Sequence, residues 1–479
     1  SGGTPDETNI VLYKSEKPGT IKGTLSSLDL RFKKMSPSRF LVLGFIVIVL
    51  IGGILLTLPV SNVNEKPVRF IDALFTSTSA TCVTGLVVVD TATTYTRFGQ
   101  VVIMLLIQVG GLGFMAMATM IFVLLGRRIG LRSRLLLQES YNQFSIHGLV
   151  KLTKTVIGLT LFIEGTGALL LFLRLRNLMP LGEAVFASVF EAVSAFCNAG
   201  FDVFGNFSGP FSNLSYFIKD GYVPMVIGIL IIIGGLGFPV LAEVLALGSS
   251  KNTRISIHTR LVLTITAILL ALGTVLVFAL EYTNPETLKG LPAVHKVWNS
   301  IFMSITPRTA GFNVLKMGAL RAPTVMVIML LMFIGASPSS TGGGIKTVTA
   351  GVLILGIMAT IKGDDNVEYY ERRIPKEQVL RATAVVLLAA VVVLAGVFIM
   401  SMVDSAPLLD MLFEVVSAFG TVGLSRGITP GLSDISKLTL IITMLIGRLG
   451  PLTFAVALNY RASTKKARVS FPEEHVMIG

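Results

Sequence analysis

The hydrophobic stretches of this 479-residue chain recur in the order long, short and long. Residues 40–59 form a charge-free run, long enough to cross a hydrocarbon layer of roughly 30 Å as a helix. The next run, within VRFIDALFTSTSATCVTGL, offers only about 12 helical residues, which predicts a re-entrant segment. A second long run at 101–125 completes the triplet. Three more triplets follow, and their long runs are 155–173, 223–241, 261–280, a segment that starts at 325, 382–403 and 438–458.

A glycine follows each short segment at nearly equal spacing along the chain. The intervals between these glycines are 115, 111 and 112 residues, which indicates a fourfold internal repeat. They stand in the motifs CVTGL, CNAGF, RTAGF and GTVGL, at Gly85, Gly200, Gly311 and Gly423. A serine precedes the glycine by six residues in three repeats, whereas repeat three has Ile305. The spans that follow carry GGLGF in repeats one and two and GRLGP in repeat four.

The repeats predict an all-α membrane protein. Four tandem helix–pore-helix–helix repeats would lie in pseudo-fourfold arrangement around one pore and supply eight transmembrane helices. The predicted segments are a cytosolic arm at 1–36, whose first three residues read as a cloning remnant, repeat 1 at 37–127, repeat 2 at 149–248, repeat 3 at 258–362, repeat 4 at 377–461 and a cytosolic tail at 462–479.

Composition agrees with a membrane protein, since 52% of the residues are hydrophobic and only 14% are charged. In a soluble protein, the net charge of +13 would suggest nucleic-acid binding. However, 26 of the 40 Lys and Arg residues lie in the arm, the segments between repeats and the tail. The positive-inside rule therefore predicts cytoplasmic amino and carboxyl termini, outward-facing glycine loops and no nucleic-acid partner.

Four glycine loops at membrane depth could aim backbone carbonyls at one axis and replace the hydration shell of an ion. The short helices end just before the loops, so their negative dipole ends would favour a cation. No carboxylate recurs in all four loops, which favours carbonyl ligands and a large monovalent cation. Alternatively, each glycine only caps its helix. The candidate filter residues are Val83, Thr84, Gly85, Asn198, Ala199, Gly200, Thr309, Ala310, Gly311, Thr421, Val422 and Gly423.

The second span of repeat three is interrupted by IGASPSSTGGGIKT. A kink at Pro338 or the end of a shorter helix would explain this run. The functional interpretation is a flexible intramembrane loop at 335–346 that lies across the pore beneath the filter, because polar backbone at that depth must face water or protein. The candidate gate residues are Gly335, Ser337, Ser339, Ser340, Thr341, Gly342, Gly343, Gly344, Lys346 and, from repeat four, Arg448.

Charged residues inside apolar segments are candidates for function, because charge within a membrane is costly. Arg448 is predicted to lie mid-span and face the pore, with an ion pair between repeats as the alternative. Arg308 is expected to pair with a pore-helix carboxylate, Glu191 or Glu414. Glu164 is interpreted as a helix-packing contact, with a proton relay as the alternative.

The motifs VTGL, NAGF, PRTAGFN, SAFGTVGL and IGRLGPLTFA closely resemble the Trk/Ktr/HKT superfamily of potassium transporters, in particular the membrane subunits of bacterial Ktr uptake systems. The resemblance implies transport of K+ across a bacterial cell membrane. It also implies a homodimer in contact with membrane lipids and with a cytosolic ring of KtrA-type regulatory subunits. Any nucleotide, ATP or ADP, would bind that ring. In this superfamily, a segment similar to 335–346 is the gate.

A sodium-coupled or weakly selective monovalent-cation transporter of the same fold is the alternative, with Na+ as a possible second ion. Leu86, Phe201, Phe312 and Leu424 stand where a channel filter has tyrosine, which would shorten the row of ion sites. An enzyme is not expected, because the sequence contains no metal-spaced His/Asp cluster and no GxSxG motif.

Overall fold

The computed structural model describes residues 37–63, 66–113, 116, 149–249, 255–364 and 366–458. These segments are mostly helical. The predicted arm, the tail and most of the end of repeat 1 lie outside the described residues.

The described part of the first half of the chain contains two long helices, two short helices that end at a glycine loop, and one helix pair that meets at a sharp bend. The helices are α1 (Pro37–Thr57), α2 (Phe70–Thr81), α3 (Thr91–Thr94), α4 (Arg97–Leu112), α5 (Leu149–Leu175), α6 (Leu181–Phe196), α7 (Gly205–Ser208), α8 (Tyr222–Leu236) and α9 (Phe238–Ser249). Short 3-10 turns cover Pro59–Ser61 and Ser215–Lys219.

The second half follows the same order. Its helices are α10 (Ile257–Glu281), α11 (Ala293–Ile305), α12 (Ala322–Phe333), α13 (Thr347–Lys362), α14 (Lys376–Val403), α15 (Leu408–Gly420), α16 (Asp434–Leu449) and α17 (Pro451–Leu458). Two 3-10 turns lie at Met317–Ala319 and Thr429–Gly431, and strands β1 (Val367–Tyr369) and β2 (Arg372–Ile374) form an antiparallel hairpin that pairs Val367 with Ile374.

Two of the long runs predicted as membrane spans, 223–241 and 438–458, are not straight helices. α8 and α9 meet at 101° and α16 and α17 at 103°. The bends fall at Gly237 and Gly450, whose φ angles of 95° and 88° lie in a region that glycine enters without steric cost. The expected break between α12 and α13 is present at residues 334–346. Arg448 lies in the last turn of α16, beside the bend at Gly450.

Membrane spans can be counted by length and composition. Four described helices are long and apolar enough to cross a membrane, namely α1, α5, α10 and α14, and the two bent pairs raise this number to six. Their outward side chains suit lipid: Leu161 and Phe162, for example, are 62% and 71% exposed. The protein is a multi-pass membrane protein, and the expected total of eight spans stays a prediction.

The short helices α2, α6, α11 and α15 lie at the centre of the fold, where most of their residues are buried. Packing between them and the following helices runs around a closed ring. α4 packs against α6, α8 against α11, α12 against α15, and α16 returns to α2. The first and last parts of the described chain therefore contact each other in the same way as neighbouring parts do.

A buried ion pair lies where the ring closes. Nζ of Lys437 on α16 is 2.7 Å from Oδ1 of Asp72 on α2, and the two side chains are 3% and 10% exposed. Asp72 also accepts a hydrogen bond from Arg69, but the Arg69 side chain is 60% exposed. Since a buried charge is costly once its partner is removed, this pair makes the last-to-first contact sensitive to substitution.

We predict that Asp72→Asn destabilises the protein by about 3 kcal/mol, because the Lys437 ammonium is then buried without a counter-charge. Thermal unfolding of the purified protein in detergent should show a lower midpoint. Asp72→Asn combined with Lys437→Met should recover most of the loss, whereas Arg69→Ala should cost less than about 1 kcal/mol. A double variant that is less stable than Asp72→Asn would contradict this account.

Candidate ion-binding ring and the loop that contacts it

The four predicted glycine loops share one backbone conformation. The residue two positions before each glycine, namely Val83, Asn198, Thr309 and Thr421, has a left-handed φ between 49° and 69°. The glycines themselves have φ angles of 92°, 69°, 77° and 94° in chain order. A β-branched residue in this region is unusual and persists only where the surroundings impose it. The four loops therefore turn in the same way just before the glycine, although α11 ends six residues before its glycine and the other short helices end three or four residues before theirs.

The four glycines face one another in cyclic order. A Cβ added to Gly85 would overlap the carbonyl oxygen of Ala199, and one on Gly200 would overlap that of Ala310. The pattern continues from Gly311 to the Val422 carbonyl and from Gly423 to the Thr84 carbonyl, which closes the circle. We call the four glycines, together with the two residues that precede each of them, the glycine ring. No side chain fits at the glycine positions of this ring.

Hydroxyl groups of the short helices hold the ring glycines. Oγ of Ser79 accepts a hydrogen bond from the Gly85 amide at 3.0 Å, and Ser417 accepts one from Gly423 at 3.1 Å. Ser194 instead donates to the carbonyl of Phe201 at 2.6 Å. In repeat three, where Ile305 replaces the serine, the adjacent Thr306 donates to the Phe312 carbonyl at 2.5 Å.

Two carboxylates brace the segments beyond the ring. Glu191 accepts a hydrogen bond from the Val203 amide at 2.9 Å. Glu414 accepts from Thr429 Oγ1 at 2.9 Å and from the Arg426 amide at 3.1 Å. The predicted pairing of Arg308 with one of them is wrong. Arg308 is buried and donates to Thr266 Oγ1 at 3.2 Å, because its side chain extends toward α10.

The loop at 334–346 is held by backbone of other repeats. Its Ser337 amide donates to the Gly235 carbonyl at 3.0 Å, and its Gly344 amide donates to the Gly447 carbonyl at 3.2 Å. The amide of Phe238 donates back to the Ser339 carbonyl at 2.9 Å. Gly235 and Gly447 belong to the last turns of α8 and α16, whose carbonyls have no partner in their own helix.

Two basic side chains also bind loop carbonyls. Lys346 Nζ donates to the Gly342 carbonyl at 2.7 Å. Arg448 donates to the carbonyls of Thr341 and Gly110, and to that of Gly111 at 3.1 Å. The alternative interpretation of Arg448, an ion pair between repeats, is not found within the described residues. Arg448 instead links the loop to the end of α4.

Three further candidate side chains are those of Ser340, Ser337 and Glu164. Ser340 Oγ is buried without a hydrogen-bond partner in the described structure, whereas the hydroxyl of Ser337 accepts from Thr347 Oγ1 at 3.0 Å.

Glu164 accepts from Gln108 Nε2 at 3.1 Å and from Cys197 Sγ at 3.7 Å. This joins α5 to α4 and to the end of α6, which agrees with a helix-packing contact.

Sequence reasoning missed the role of the glycines in GGLGF and GRLGP. A Cβ at Gly110, Gly234 or Gly447 would overlap a carbonyl oxygen at the end of the short helix of the same repeat, that of Thr81, Phe196 or Phe419, respectively. These glycines thus permit close helix contact, and their neighbours end the helix. The repeated motif contained these glycines. However, the motif could not show which carbonyls would accept hydrogen bonds from the loop amides and from Arg448.

Apolar helices around a polar, carbonyl-rich centre define a membrane transport protein. Residues 27–466 match the family described as TrkH, cation transport protein. The chain belongs to this family, which confirms the resemblance drawn from its motifs.

Several relatives align over nearly their full length. The chain is 43% identical to Ktr system potassium uptake protein B of Bacillus subtilis, over 94% of this chain and 98% of that protein. It is 36% identical to the potassium/sodium uptake protein NtpJ of Enterococcus hirae, over 93% and 98%. The crystal structure of the potassium transporter TrkH from Vibrio parahaemolyticus has the same fold, with a TM-score of 0.67, 18% identity and coverage of 87% of this chain and 85% of that one.

Proposed function

We propose that this chain is the potassium-translocating membrane subunit of a bacterial potassium-uptake system. K+ passes without its hydration shell through the glycine ring, which acts as a four-loop carbonyl filter at the centre of four repeats. The observation that carries the proposal is the cyclic contact of the four ring glycines with carbonyl oxygens of neighbouring loops. The relatives named for potassium uptake support the same ion.

The chemistry of the ring favours a large monovalent cation. The groups that its glycines meet are backbone carbonyls, which can replace the water around such an ion without adding a fixed charge. The short helices end at the ring, so their partial negative charge lies on the side of the ion. Mg²⁺, by contrast, releases its water reluctantly and prefers carboxylates.

A sodium-coupled or weakly selective transporter of the same fold is the second candidate. One relative of similar identity is named for potassium and sodium uptake. Uptake of K+ into proteoliposomes, measured with and without Na+ outside, separates the two candidates. If K+ uptake requires Na+, or if Na+ enters at a similar rate, the second candidate is favoured.

Gly423→Ser should raise the half-saturation concentration of K+ about tenfold or more and weaken discrimination against Na+, because the added side chain displaces the Thr84 carbonyl. Gly427→Ser is a matched control. Its φ of 95° is close to the 94° of Gly423, but a Cβ there meets nothing within 4 Å. Ion uptake constants should therefore change only in the first variant. If both variants change the uptake constants equally, backbone strain explains the effect, and the result counts against the shared filter.

We propose that the loop at 335–346 is the gate and that Arg448 and Lys346 stabilise its closed arrangement. A gate needs two arrangements that differ by only a few kcal/mol, so that a partner can shift the population. Charge-assisted hydrogen bonds to the carbonyls of Thr341 and Gly342 favour one arrangement. The consecutive glycines 342–344 allow the backbone to adopt another.

Deletion of 337–343 should raise K+ flux roughly 10- to 100-fold in the absence of a regulator, as expected when the open state is a minor population. Gly342→Ala should act in the same direction, because its Cβ would overlap the Thr309 hydroxyl and push the loop away. Gly158→Ala, where a Cβ meets nothing within 4 Å, is the control. Flux measured in liposomes decides: a deletion variant that remains closed would refute the gate.

We further propose a homodimer that binds a cytosolic ring of KtrA-type subunits, with ATP or ADP held by that ring. Both chain termini lie on the same cytoplasmic side. The support is the close relation to Ktr uptake proteins and the basic character of the predicted cytosolic segments. Of that basic surface, the described part includes Arg372 and Arg373, both exposed on the β1–β2 hairpin.

Arg372→Gln with Arg373→Gln should slow association with a purified KtrA-type ring, and the difference should shrink at high salt, because exposed charges mainly steer encounter. Lys66→Gln with Lys289→Gln removes two exposed charges from the predicted outer side and should leave the rate unchanged. Association rates at two salt concentrations provide the measurement. If the outer-side pair slows association as much as the hairpin pair, the proposed docking side is wrong.

A further inference from the structure

The loop contacts the glycine ring directly, through the side chains that stand two positions before the ring glycines. The amide of Gly343 donates a hydrogen bond to Oγ1 of Thr421 at 3.0 Å, and Thr421 is fully buried. This contact joins residues 78 positions apart in the chain. A Cβ on Gly343 would come within 2.5 Å of that hydroxyl and 2.8 Å of the Thr421 methyl, so the two groups are in close contact.

A second contact lies beside the first. Thr309 is packed against the loop, since a Cβ on Gly342 would overlap its hydroxyl and one on Gly335 would lie 3.2 Å from its methyl group. The same hydroxyl is 3.1 Å from the side-chain amide of Asn198. The loop thus contacts Thr309 of repeat three and Thr421 of repeat four, which occupy equivalent positions. The Thr309 hydroxyl in turn contacts Asn198 of repeat two.

The loop also reaches the end of α6. Oγ1 of Thr341 donates to the carbonyl of Phe196 at 3.1 Å, and Phe196 lies two residues before Asn198. Val83 occupies the equivalent position in repeat one, with a φ of 50° against 49° for Thr421. Because valine has no hydroxyl, it cannot accept a hydrogen bond from the loop. Val83 also shows that this backbone conformation accommodates valine.

We propose that Thr421 is a positioning residue that couples the loop to the glycine ring, so that the cation preference of the ring depends on where the loop lies. This inference deepens the proposed function, and it rests on the ring acting as the filter. The coupling needs only two steps. The Gly343 amide fixes the Thr421 side chain, and the next residue, Val422, contributes the carbonyl that lies against Gly311.

The backbone at Thr421 makes it sensitive to the loss of this contact. Its left-handed φ of 49° is unfavourable for a β-branched residue and persists only while neighbouring bonds impose it. The amides of Thr421 and Val422 bond to the carbonyls of Ala418 and Ser417, at 3.1 Å and 2.8 Å. The Gly343 bond restrains the side chain, and displacement of the loop removes this one restraint while the others remain.

The test compares Thr421→Val, Thr421→Ser and the 337–343 deletion, alone and combined, in the full-length protein in proteoliposomes. The readouts are the half-saturation concentration of K+ and the ratio of K+ to Na+ uptake. Thr443→Val is the control, because Thr443 is also buried but its hydroxyl donates within its own helix, to the Thr439 carbonyl.

With the loop intact, Thr421→Val should change the K+ to Na+ ratio about two- to tenfold, the range expected for the net contribution of one hydrogen bond. Thr421→Ser, which keeps the hydroxyl, should largely preserve the ratio. The deletion should shift the ratio in the same direction, and Thr421→Val should add nothing in the deleted background. Such non-additivity is the signature of one shared interaction.

An equal shift by Thr421→Val in both backgrounds would overturn the coupling, because Thr421 would then act on the ring without the loop. No shift in the intact protein would overturn it as well. If Thr421→Val does not fold, Gly343→Ala displaces the same contact from the other side and is combined with Thr421→Ser. The gate is judged separately: unchanged flux after the deletion refutes the gate, whereas the ion ratio still reports on the coupling.

Discussion

The close approach of four backbones at the glycine ring is the constraint on which the rest of the structure depends. At each ring glycine, the space that a side chain would need is taken by a carbonyl oxygen of the next loop. The four short helices must therefore end at the same depth and with the same left-handed turn, although their sequences differ. Ser79 and Ser417 bind the ring amides, and Glu191 and Glu414 brace the segments beyond. These contacts fix the ring from behind and leave its centre to backbone.

Beside this ring, the carbonyls left free at helix ends become binding groups. Helix ends leave acceptors without partners, and in a membrane these cannot be left to lipid. The loop amides donate hydrogen bonds to the carbonyls of Gly235 and Gly447. Arg448 donates to the carbonyls of Gly110 and Gly111. A segment without helical hydrogen bonds is thus tolerated because carbonyls at the ends of neighbouring helices accept hydrogen bonds from its amides.

Much of this organisation could be predicted from periodicity alone. The equal spacing of Gly85, Gly200, Gly311 and Gly423 located the four loops, and the run from Gly335 to Lys346 located the broken helix. The bends at Gly237 and Gly450 were missed, because an apolar run has the same composition whether it is straight or folded back. The partner of Arg308 was missed for a different reason. Spacing in a repeat indicates which residues are equivalent, but the direction of one side chain depends on packing against α10.

The ion pair between Asp72 and Lys437 also constrains how the molecule can be assembled. Its partners are 365 residues apart, and they join the first short helix to the last broken one. During synthesis, the amino-terminal part of the chain enters the membrane long before α16 has been made. Until then, α2 lacks the helix that packs against one of its sides. The ring cannot close around an axis until the final repeat has been inserted. An incomplete chain therefore lacks the contact between α2 and α16 that closes the ring of helices.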